Sequence, residues 1–69
     1  MGSWKVWVKL AGESTFGTNS CRYATKEEAD AAANELDGRW LVSKTMESRP
    51  DDGEPNYIFD FVAYRPRPI

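Results

Sequence analysis

The stretch 25–38 restricts this chain more than any other, because it reads as one helix with both ends marked. Thr25 is a capping residue, and Glu28 three positions later completes a capping box. Gly38 is the expected left-handed stop. Ala29, Ala32, Ala33 and Leu36 recur at i, i+3, i+4 and i+7, so one side of the helix is apolar and thin. Lys26, Glu27, Asp30, Asn34, Glu35 and Asp37 cover the rest.

The other segments read as strands and turns. Residues 4–10 alternate, with Trp4, Val6, Val8 and Leu10 on one face and Lys5, Trp7 and Lys9 on the other. GESTFGTNS at 12–20 is a loop or wide hairpin, and 21–24 is a short extended approach that could form a strand. Residues 40–48 read as a second firm strand, with Trp40, Val42 and Met46 sharing one parity. PDDGEP at 50–55 is a turn. NYIFDFVAYR at 56–65 is the strongest β segment, apolar on both faces, which suits a central strand or one touching a second chain. Pro66 and Pro68 are expected to end the ladder and leave 65–69 as a flexible Pro/Arg tail.

The fold expected is α+β in two layers. One helix packs on a three- to four-stranded, mainly antiparallel sheet, in the order β-(β)-α-β-β, within a single domain spanning 1–69. The helix would lie on Val6, Val8, Val42 and Phe59, and the other sheet face would carry Trp7 with Tyr64, Val62 or Ile58.

Composition narrows the function. The chain has 69 residues and relies on three Trp, three Tyr and three Phe to fill its core. Self-association is a common further source of stability at this size, so a homodimer is expected. One cysteine and no histidine exclude an internal disulfide and the usual structural zinc sets. That cysteine usage fits a reducing cytoplasm, and the alternation through 1–10 is unlike a secretory leader. No stretch approaches membrane-spanning length. A net charge of −2 argues against a general nucleic-acid binder, which is usually basic.

Trp7 between Lys5 and Lys9 is the leading candidate site: an aromatic platform with flanking cations, suited to anchoring a partner protein or stacking a base. Phe16, apolar in a polar loop, and Tyr64 join it as partner-binding candidates. The loop 12–18 has glycine spacing like a phosphate loop but lacks its lysine and its helix. Loop N–H groups with the hydroxyls of Ser14, Thr15, Thr18 and Ser20 form an alternative site for a small anionic ligand. Cys21 has Arg22 beside it but no histidine to act as base, so it reads as a structural thiol. Asp51, Asp52 and Glu54 match no calcium loop and read as a solvated turn. Asp60, amid apolar neighbours, should face water or pair with a cation such as Arg22, Arg39 or Lys44. Arg39 is placed to complement the negative helix end.

Arg22-Tyr23-Ala24-Thr25-Lys26-Glu27-Glu28-Ala29, followed by Leu36, Arg39-Trp40 and Pro55-Asn56-Tyr57, resembles a pattern in small uncharacterised bacteriophage and prophage proteins, RFAT-x-EEA…L…RW…D-P-V-N-Y. The resemblance spans about half the chain. It departs where Glu54 precedes Pro55 and no valine separates Pro55 from Asn56. It implies phage origin, a host cytoplasmic setting and no known catalytic residues. The reading that follows is a small non-enzymatic accessory protein that binds a host or defence protein. The alternatives are a binder or sponge for a nucleotide-like ligand at an oligomer interface, and a single-stranded nucleic-acid binder. No catalytic residue, metal or cofactor is assigned.

Overall fold

The computed structural model describes residues 2–40 and 42–69. Strand β1 (Ser3–Leu10) is followed by a two-residue strand β2 (Gly17–Thr18), helix α1 (Lys26–Arg39), β3 (Lys44–Asp51), β4 (Tyr57–Asp60) and β5 (Arg65–Pro68). The fold is α+β, as the sequence indicates, but its strands form two sheets. One is antiparallel in the order β2-β1-β3, and the other is the β4–β5 hairpin. The helix packs against strands of both.

The helix starts as read. Thr25 accepts the Glu28 N–H at 3.2 Å. The second half of the capping box is diverted: one Glu28 oxygen takes the Thr25 hydroxyl at 3.1 Å, and the other takes the Phe59 N–H at 3.0 Å. Glu28 therefore ties the helix entry to β4. The stop differs from expectation. Gly38 lies inside the helix, and the cap is Trp40 in an extended conformation, its N–H donating to the Leu36 carbonyl at 3.0 Å. A left-handed glycine is unnecessary because Lys44 holds the exit. Its ammonium binds Asp37 at 2.8 Å, the Val42 carbonyl at 3.1 Å and the Trp40 carbonyl, which matches its three donors. Arg39 lies in the last turn, where its charge complements the helix end, and it also pairs with Glu35 one turn back.

The alanine stripe allows close approach. Ala29, Ala31 and Ala32 are buried with Val6, Tyr23 and Phe59, and Trp4, Val8, Met46 and Tyr57 pack around them. Val42, expected under the helix, is 46% exposed, because the chain reaches strand geometry only at Lys44.

Residues 12–20 take the wide-hairpin form: they contain β2, which pairs with β1 through Trp7 opposite Thr18 and Val8 opposite Gly17. Three further expectations change. Strand β3 starts later than expected and runs through Pro50 to Asp51. It is an edge strand, where a proline costs no ladder bond if its nitrogen faces outward. The segment 56–65 is two strands and not one. Asp60 accepts the N–H groups of Val62 at 2.9 Å and Ala63 at 3.0 Å, folding the turn back on itself. These bonds, with Arg67 at 3.2 Å, hold the Asp60 carboxyl below its ordinary range. Asp60 thus pairs with a cation, as expected of it, and that cation is Arg67, its neighbour across the hairpin. Finally, residues 65–68 of the expected tail are β5, paired along β4 from Asp60–Arg65 to Tyr57–Pro68.

Residues 20–23 join the two sheets. Tyr23 exchanges backbone bonds with Trp4 at 2.7 and 2.8 Å and bridges to Tyr57 in the parallel sense. Asn56 reinforces the junction by accepting the Arg22 N–H at 2.7 Å and donating to the Ser20 carbonyl at 2.8 Å. Replacing Asn56 by Ala leaves the part-buried Arg22 N–H without its side-chain acceptor. The expected loss is about 1–3 kcal/mol of stability in urea unfolding. A midpoint equal to wild type would show that the junction does not depend on this side chain.

Tyr23 is 2% exposed. Burial, with the Cys21 thiol next in effect, pushes its phenol above the ordinary tyrosine range. A raised folded-state value means that ionisation favours the unfolded chain. Tyr23 therefore supports the fold fully below about pH 10, and that support is lost as pH rises further. Stability measured against pH should fall on the alkaline side, and Tyr23→Phe should flatten that limb.

Candidate functional site

The outer face of the three-stranded sheet is built by parity. Positions 5, 7 and 9 of β1 point away from the helix, and their β3 partners Arg49, Glu47 and Thr45 share that face. Continuing the β1–β2 register one step places Phe16 beside Lys9. These side chains form a row of alternating cations and rings. The Lys9 ammonium lies 5.4 Å from the Phe16 centroid, and the Arg49 guanidinium lies 4.6 Å from Phe16 and 5.1 Å from Trp7. Arg49 is thus held against two rings and is also paired with Glu47. Lys5 stands at the far end, 4.0 Å from Asp51.

Trp7 is half-buried and lies outside the hydrophobic core. Its cover comes from Arg49, not from the helix layer. Cation–ring contacts at such sites contribute about 0.5–1 kcal/mol each. Here they fix the rings on a face where no packed layer holds them. The face carries Lys5, Lys9 and Arg49 against Glu47 and Asp51, a balance of +1 on a chain whose net charge is −2.

The structure therefore gathers Lys5, Trp7, Lys9 and Phe16 of the expected partner-binding set. It places Tyr64 elsewhere. Tyr64 ends the β4–β5 turn with φ 54°, and its ring meets Phe59 edge-on at 4.9 Å. That packing holds a conformation tyrosine seldom adopts. Arg49 is the member the sequence reading missed. Extending the strand past Ser48 would have found it, since 45, 47 and 49 then alternate against 9, 7 and 5.

The alternative hydroxyl loop does not converge. Thr18 donates to the Val6 carbonyl at 2.8 Å, and Ser14, Thr15 and Ser20 are exposed. Thr15 and Thr18 instead border a cleft of about 420 Å³ between the β1–β2 hairpin and the end of α1, whose walls include Val8, Leu10, Leu36 and Trp40. Its walls are mainly apolar, unlike a phosphate cradle.

No known family model, curated protein or solved structure matches this chain. Among the described residues, no helix is long and apolar enough to cross a membrane.

Replacing Arg49 by Ala should uncover both rings. The Trp7 environment should become more solvated, read as a red shift and stronger iodide quenching of emission in a chain carrying Trp4→Phe and Trp40→Phe. Emission and quenching unchanged by Arg49→Ala would show that the guanidinium does not cover the indole.

Proposed function

We propose that this chain is a small non-enzymatic binding protein of phage type, and that it engages a host or defence protein through the outer sheet face. The observation that carries the reading is the position of Trp7. A tryptophan on the face opposite the helix, covered by a cation and flanked by lysines, contributes little to the core. Aromatic and arginine anchors of this kind dominate the energetics of protein interfaces. The local positive balance favours a partner surface with carboxylates around an apolar pocket that admits the indole. The phage assignment rests on the motif resemblance from Arg22 to Tyr57.

The test is affinity capture from host lysate with the intact chain as bait, followed by titration of the captured protein. Trp7→Ala should weaken binding by about 2 kcal/mol or more, roughly thirtyfold, if the indole is an interface anchor. The far-ultraviolet circular dichroism and thermal midpoint should stay close to wild type. A variant that loses its fold would assign Trp7 to stability. A folded variant with unchanged affinity would remove this face from the reading.

A further inference from the structure

The molecule treats its strand edges differently. On β5, the Ile69 N–H points inward to the Asn56 carbonyl at 3.1 Å, so by alternation the nitrogens of Pro66 and Pro68 face outward. That edge offers no N–H at either position and resists strand addition. Strand β2 is only two residues long. Strand β3 is eight residues long and lies at the sheet margin.

Its outward groups follow from the register. Trp4 uses both backbone groups on Tyr23, and Val6 and Leu10 likewise bond away from β3. Their β3 partners Pro50, Ser48 and Lys44 therefore turn their backbone groups outward, and Met46 does so by the same alternation. Among the described residues, no hydrogen bond reaches the N–H groups of Lys44, Met46 or Ser48. An open edge of this length is a template for another strand.

We propose that the occupant is a second copy of this chain, whose own β3 pairs antiparallel with the two-fold axis at Ser48. The two three-stranded sheets then join into one sheet of six strands. The two Ser48 residues exchange N–H···O=C bonds, and each Met46 N–H donates to the Pro50 carbonyl of the other copy; Pro50 has no N–H to return, so the ladder is centred on Ser48 and ends at Pro50. On the outer face, Glu47 stands directly opposite Arg49 of the other copy, twice by symmetry. Together with the Glu47–Arg49 pairs already made within each chain, they form an alternating quartet. Moving the axis to Glu47 would set the two Glu47 carboxylates against each other, and moving it to Met46 would lose both cross-pairs. Charge thus selects the partner and the register. This inference is independent of the protein bound by the outer face.

Sedimentation over a concentration series tests it. Wild type should show reversible dimerisation. Glu47→Arg and Arg49→Glu should each weaken it about tenfold or more, since each makes both cross-pairs repulsive. Mixing the two variants should restore association, because each then meets its complement. Circular dichroism checks that both variants fold. Amide exchange of the wild type supplies a readout that needs no variant: Met46 and Ser48 should become protected as concentration rises, whereas Glu47 and Arg49 are protected throughout. A wild type that stays monomeric, single reversals that leave the dimer intact, a mixture that fails to restore it, or Met46 and Ser48 amides indifferent to concentration would each overturn the proposal.

Discussion

Tyr23 holds the fold together. Its backbone bonds to Trp4 in one sheet and bridges to Tyr57 in the other, while its ring lies in the core beneath the helix. Each sheet alone has little to bury against: one has a two-residue outer strand, and the other is a bare hairpin. A single residue with a partner on each side turns them into one support for α1. The flanking residues serve the same junction. Arg22 donates its side-chain Nε–H to the Glu54 carbonyl at 2.7 Å, and the Asn56 side chain closes the gap on the other side. Gly53 leaves room beside it, since a Cβ there would fall 2.7 Å from the Arg22 Nε and 2.9 Å from an Asp51 carboxylate oxygen and would displace those side chains.

Charged side chains do structural work at the helix ends. Glu28 joins the capped first turn to β4, and Lys44 gathers the exit from α1 around one ammonium. Midway, Asp30 receives the Ser48 hydroxyl at 2.6 Å and fixes the helix over β3. Lys26 and then Ser48 hold the Asp30 carboxyl below its ordinary range. A helix whose buried contacts are mostly methyl groups gains modest hydrophobic stabilisation, so directional polar links set its position on the sheet.

The helix layer covers one face of the three-stranded sheet and leaves the other to side chains of its own strands. Trp7 and Phe16 cannot bury themselves there by packing alone, and Arg49 supplies the cover. The result is a surface that is aromatic and locally cationic. The edges of the same sheets differ in their outward backbone groups: β5 turns the proline nitrogens of Pro66 and Pro68 outward, whereas β3 turns out the amides of Lys44, Met46 and Ser48 along with Pro50.

Local pattern made several elements legible. The cap at Thr25, the alternation through β1 and the small-residue face of α1 are encoded by neighbours within a few positions, so the sequence alone determined them. It also placed Lys5, Trp7 and Lys9 on one face. Its errors arose where distant partners decide. Gly38 continues the helix because Lys44, six residues on, supplies the stop. The apolar run 56–65 bends because Asp60 captures the Val62 and Ala63 amides and Phe59 packs with Phe61 and Tyr64. Pro66 and Pro68 remain in a ladder because their nitrogens point to the open side, a fact set by register. Arg49 reaches Trp7 for the same reason. Periodicity reports which face a residue takes, whereas tertiary pairing decides which strand lies beside it.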